Sequence, residues 1–80
     1  MATYRVSYSR KGKVYHTTID DGGRGDRRSK QVAINLACAT SEMVPGIVAV
    51  DRNGIEVAAC RKGRRVASKN PSDPYSRRRR

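Results

Sequence analysis

Residues 47–61 read IVAVDRNGIEVAACR, and this stretch decides the fold. Asn53-Gly54 is the strongest short-range hairpin signal, because both central positions of the tightest hairpin turn require positive φ. The flanking runs, 47–51 and 55–61, are rich in Val, Ile and Ala and are predicted strands. Either a two-residue turn at Asn53-Gly54 or a four-residue turn over 51–54 keeps Val48, Val50, Ile55 and Val57 on one face. The opposite face then carries Ile47, Ala49, Ala58 and Cys60. That set is more apolar than a solvated face and calls for cover by another element or a dimer contact.

Upstream, Val32, Leu36, Thr40 and Met43 recur at helical spacing, with Ala33, Ala37 and Val44 alongside. A helix is expected here, capped by Asp26 or Ser29 and stopped by Val44-Pro45-Gly46, with Ile34 on its flank or back. If it begins at Asp26, then Arg27 and Arg28 lie in its first turn, where cations oppose the helix dipole. Residues 20–28, with Gly22, Gly23 and Gly25 and no apolar side chain, read as a loop. Before the loop, Tyr4, Val6 and Tyr8 alternate with Arg5, Ser7 and Ser9, which is the pattern of a half-buried strand. A two-residue turn at Lys11-Gly12 would bring Tyr8 opposite Tyr15, Val6 opposite Thr17 and Tyr4 opposite Ile19. All six then share one face, while Arg5, Ser7, His16 and Thr18 share the other.

The predicted order is ββαββ, an α+β fold: a small antiparallel sheet of two hairpins with one helix packed on one face. Residues 1–61 form the compact domain, and residues 62–80, polar and basic with Pro71 and Pro74, form a disordered tail. The whole chain has 80 residues, near the lower limit for a self-sufficient core, so association into a homodimer is expected to help.

Charge points to the partner. Lys and Arg number 18 against seven Asp and Glu, a formal net charge of +11. The middle is slightly acidic: residues 31–60 carry one basic and three acidic groups, whereas 61–80 carry nine basic and one acidic. No run reaches the ~20 apolar residues of a membrane span. The N-terminal MATYRVSYSRKGKVY has no apolar secretory core, so an intracellular location, cytoplasm or nucleoid, is expected.

Catalytic sets are not visible. His16 is the single histidine and lacks convergent partners. Asp20, Asp21 and Asp26 match no calcium loop and read as turn chemistry. Cys38 and Cys60, with no second histidine, supply no four-ligand zinc site. They read as small core or flank residues of a reduced protein, and a bridge between them requires α-carbons within about 7 Å. The expectation is a non-enzyme with no cofactor and no metal.

Nucleic-acid binding is the leading expectation, DNA ahead of RNA, in an accessory or regulatory role. Three basic elements would contact phosphate. They are the first hairpin tip (Arg10, Lys11, Lys13), the 22–30 loop (Arg24, Arg27, Arg28, Lys30) and the tail. The tail contributes Arg61, Lys62, Arg64, Arg65, Lys69, Arg77, Arg78, Arg79 and Arg80. The alternative is a protein-interaction module or inhibitor, of the kind mobile elements encode, that docks on an acidic host protein by sheet-edge pairing. No membrane partner is expected.

Overall fold

The computed structural model describes residues 3–20, 22–23, 25–70 and 73–76. Strand β1 (Thr3–Arg10) turns into β2 (Lys13–Asp20), and helix α1 (Asp26–Ser41) follows. Then come β3 (Val48–Arg52), β4 (Ile55–Arg61), β5 (Arg64–Val66) and a single 3₁₀ turn, Pro74–Ser76. The strands form one antiparallel sheet in the order β2-β1-β3-β4-β5. The helix lies across one face, so the expected α+β architecture of two hairpins and one helix is what the chain adopts.

The first hairpin has the expected register: Tyr8 faces Tyr15, Val6 faces Thr17 and Tyr4 faces Ile19. Its turn places Lys11 and Gly12 at φ 52° and 79°, the paired positive values of a type I′ turn. The β3–β4 turn repeats this at Asn53 and Gly54, with φ 53° and 81°, so the two-residue alternative is the one used.

Three expectations are corrected. The first concerns β4. A bulge between Val50 and Asp51 shifts the register, so Val50 faces Ala58 while Asp51 faces Glu56. One extra residue on β4 reverses the alternation beyond it. Ala58 and Cys60 therefore join Val48 and Val50 in the core against the helix, all fully buried. The face away from the helix carries Ala49, Ala59 and Val66 instead.

The second correction concerns the helix. Its buried residues are Ser29, Ala33, Ile34, Ala37 and Ser41, a row at i, i+4 spacing plus Ile34. Val32 and Met43, expected on the core stripe, are exposed at 41% and 77%. Small side chains let the helix backbone approach the sheet, and Ile34 fills the side next to Cys60, whose sulfur lies 3.9 Å from the Ile34 carbonyl. Neither Asp26 nor Ser29 caps the helix. Gly25 holds that position at φ 92°, and the Ser29 hydroxyl donates back to the Gly25 carbonyl at 2.8 Å.

The third lies beyond residue 61. Lys62 and Gly63, at φ 54° and 81°, make a third type I′ turn, and β5 returns along β4. Residues assigned to the tail thus close the sheet. The Gly63 amide donates to the Ser41 hydroxyl at 2.8 Å, tying this turn to the helix C-terminus. Farther on, Arg65 bonds Asp73 at 3.0 Å and stacks over the Tyr75 ring at 4.1 Å. Residues 77–80 lie outside the described residues.

Cys38 and Cys60 form a disulfide, with α-carbons 5.0 Å apart. The distance condition that left their pairing open is met, because the bulge aims Cys60 at the helix. The bond fastens α1 to β4 near the chain's third turn.

Candidate nucleic-acid interface

Strand direction decides where the basic residues go. β1 and β4 run the same way in this antiparallel sheet, so their distal turns, Lys11-Gly12 and Lys62-Gly63, emerge at one end. Ser7, Ala49, Ala59 and Val66 lie level across the sheet. From that row, the first turn begins four residues on and the third begins three residues on. The two tips therefore differ in height by about one residue, ~3.4 Å. Three strand spacings separate them, ~14 Å.

Arg10, Lys11 and Lys13 stand at one tip, and Arg61, Lys62 and Arg64 at the other. All but Lys62 and Lys11 are strand residues next to a turn, so the ladder fixes where they leave the backbone. Every one of them is exposed. Beside the third turn, between it and the loop that follows the helix, lies a groove lined by Glu42, Met43, Pro45, Arg61 and Lys62 among others. Glu42 is an acid at this end. Its carboxylate sits beside Gly63, where an added Cβ would come within 2.7 Å of Oε2.

Other expected contacts are not brought here. The helix begins at Asp26, so Arg27 and Arg28 occupy its first turn, at the opposite end of the sheet beside the β3–β4 turn. Lys30 is half-buried on the same turn of helix. Arg65 is committed to Asp73 and Tyr75, and the Lys69 amide donates to Glu56 at 2.9 Å. Arg24 and Arg77–80 lie outside the described residues.

Asp73 is itself buried at 5% exposure. Burial pushes its carboxyl pKa up, but hydrogen bonds from the Ser68 hydroxyl and the Tyr75 amide, with the Arg65 charge, outweigh that and hold it below 3.8. At the far end, the Tyr4 hydroxyl donates to Asp26 at 2.6 Å, and Arg52 pairs with the same oxygen at 3.5 Å. Burial first, then the Asp26 hydrogen bond and charge, push the Tyr4 pKa from 10.0 up to about 12. Asp26 is therefore a structural residue that joins helix, β1 and β3.

Tyr8 and Tyr15 stack on the helix side with ring centroids 5.4 Å apart. Tyr8 is half-buried, whereas Tyr15 is 43% exposed because the helix barely reaches β2. His16 is exposed on the open face opposite Ser7, and Arg5 there faces Asp51 across the β1–β3 ladder. Among the described residues, no group of three His, Cys, Asp or Glu side chains is placed to hold a metal. No helix among them is long and apolar enough to cross a membrane.

Fold and site define a small, disulfide-closed α+β module with a two-pronged cationic end. Comparison with protein-family models, with curated proteins and with solved structures returns no match.

Proposed function

We propose that this protein binds duplex nucleic acid, DNA in preference to RNA, as an intracellular accessory or regulatory factor without catalytic activity. The observation that carries this reading is the convergence of two basic turns at one end of the sheet. Their ~14 Å separation is close to the ~12 Å width of the B-DNA major groove. Each prong then reaches a phosphate backbone on one side of the groove. Affinity comes from counterion release and is largely indifferent to sequence. The deep, narrow major groove of A-form RNA fits this spacing less well. Arg27 and Arg28, at the other end, take no part in the same contact.

A disulfide inside a reducing compartment needs shielding from thiolate attack, and Cys60 is fully buried while Cys38 is half-buried. The alternative reading, docking on an acidic protein, drew support from an apolar second face carrying Ala58 and Cys60. That support is withdrawn, since both residues face the helix.

The test is salt-titrated binding to duplex DNA, single-stranded DNA and duplex RNA by the full chain and by K11N/K62N. Asn keeps both turns, because it tolerates positive φ and Asn-Gly is a preferred type I′ pair. Loss of two phosphate contacts should flatten the salt slope by about 1.8 and weaken duplex binding. An unchanged slope and affinity would show that the prongs do not touch nucleic acid.

A further inference from the structure

The disulfide from Cys38 to Cys60 turns one flank of the helix toward β4, and the helix barely reaches β2. Tyr15 and Thr17, on the helix side of β2, are therefore exposed. Tyr8 covers one face of the Tyr15 ring, with 5.4 Å between centroids and 17° between planes. Tyr8 is itself packed against the core. Because β2 is the outermost strand, the second face of Tyr15 looks past the edge of the sheet. Among the described residues, no ring or cation lies over that face.

Side chains two residues apart on a strand share a face. Arg10 follows Tyr8 by two residues on β1, and Lys13 precedes Tyr15 by two on β2. Both cations therefore stand on the face that carries the rings, and both are exposed. They lie one step nearer the hairpin tip than the rings, ~6.8 Å along the strands. Arg10 and Lys13 are also direct cross-strand partners, and like charges placed opposite one another destabilise a sheet. Neither row on this face, Tyr4-Val6-Tyr8-Arg10 or Ile19-Thr17-Tyr15-Lys13, holds an acid to offset them. An anion from outside would relieve that repulsion.

We propose that Tyr15 is a stacking shelf for one unpaired nucleobase adjoining the bound duplex, with the phosphate of that nucleotide held by Arg10 and Lys13. The inference rests on the nucleic-acid reading above and adds a structural preference to it: a duplex carrying an unpaired nucleotide is bound ahead of a blunt one. A nucleotide offers a flat π-surface and an anion at a comparable separation, which matches an open aromatic face beside two cations. Stacking of this kind tolerates any base, because every base has a π-face. It thus keeps the indifference to sequence that phosphate contacts give. The ring is held in place by Tyr8 and the core behind it, so little freedom is lost when a base stacks. Lys11 occupies the turn just beyond Arg10 and Lys13, so one strand can pass from this prong directly onto the shelf.

The probe is a short DNA duplex with a single-stranded thymidine tail, compared with the same duplex blunt, each bound by the full chain. The tail should tighten binding roughly 5- to 150-fold, the range a stacked base contributes by alanine substitution. Y15A should erase that gain and leave the salt slope on blunt duplex unchanged, because no cation is lost. Y15F keeps the ring and should keep the gain. Tyr15 is exposed on an edge strand, so circular dichroism of both variants should match wild type. Without any substitution, 5-iodouracil in the tail should photo-cross-link to Tyr15, read by mass spectrometry of the digested adduct. Equal binding of tailed and blunt duplex, a gain that survives Y15A, or cross-links confined to other residues would each overturn the proposal. So would a Tyr15 that takes up an acidic peptide containing an aromatic residue and ignores the tail. Blunt-duplex binding with the two-prong salt slope but no preference for the tail overturns this inference alone. Tailed strands bound through Tyr15 with no binding of blunt duplex overturn the duplex reading alone, and a chain that binds no nucleic acid overturns both.

Discussion

Reducing the Cys38–Cys60 bond should cost this small domain a large share of its stability. The bridge spans a sequence separation of 22, and in the chain-entropy account closing such a loop removes ~3 kcal/mol of unfolded-state freedom at 25 °C. Domains of this length are stabilised by ~4–12 kcal/mol in total. A loss of ~3 kcal/mol corresponds to a fall in Tm of ~12–24 °C for a domain of this size. The assay is thermal unfolding followed by far-ultraviolet circular dichroism, with and without reductant, with free thiols counted in each sample. C38A/C60A separates the cross-link from the side chains, and its added loss from the vacated Cys60 site should be about 1 kcal/mol. The urea m-value should rise when the bond is absent, because the unfolded chain expands. A fall of less than ~5 °C with both thiols demonstrably free would refute the reasoning. The core would then hold helix to sheet without the covalent link.

Y4F removes the donor to Asp26 and should destabilise by about 1–2 kcal/mol in urea unfolding at neutral pH. The Tyr4 pKa is raised from 10.0 to about 12, so the stability it confers is complete below pH 10 and is lost as pH rises through 12. A phenolate absorbance titration should show one late-ionising tyrosine that Y4F abolishes. D73N leaves the half-buried Arg65 without its counter-charge and should cost about 2–3 kcal/mol, read as faster amide exchange in 64–66 with β1 and β3 unchanged. Because the Asp73 pKa is lowered, its contribution is complete above 3.8 and disappears as pH falls through the folded value, so the same amides should loosen in acid. A33L should destabilise by about 1–3 kcal/mol by forcing the helix off the sheet, whereas M43K should change unfolding by less than about 0.5 kcal/mol. Equal effects would show that the buried helix face has been misassigned.

What could be read directly was what local chemistry dictates. Two of the three type I′ turns announced themselves, Asn53-Gly54 strongly and Lys11-Gly12 through the agreement of its flanking faces. The third, Lys62-Gly63, has the same residue types as the first. It was missed because the strand after it, Arg64–Val66, is short and basic and resembles tail. The cations of the candidate interface were likewise countable, but their grouping was not. Nothing in residues 10–13 or 61–64 says that they share an end of the sheet, because that depends on β1 and β4 running in the same direction.

Charge, length, the ββα order and the first register were thus properties of the sequence alone, since turn propensity and period-two alternation act over a few neighbouring residues. The tertiary structure decided three matters. It inserted a bulge that turned Ala58 and Cys60 inward, it set a small-residue helix face against the sheet in place of the larger Val32–Met43 stripe, and it left β2 as the long open edge. Each depends on which backbone can approach which. A helix seated by Ala33 and Ala37 packs closely enough for Cys38 to reach Cys60, and packing at that distance is a property of two surfaces together.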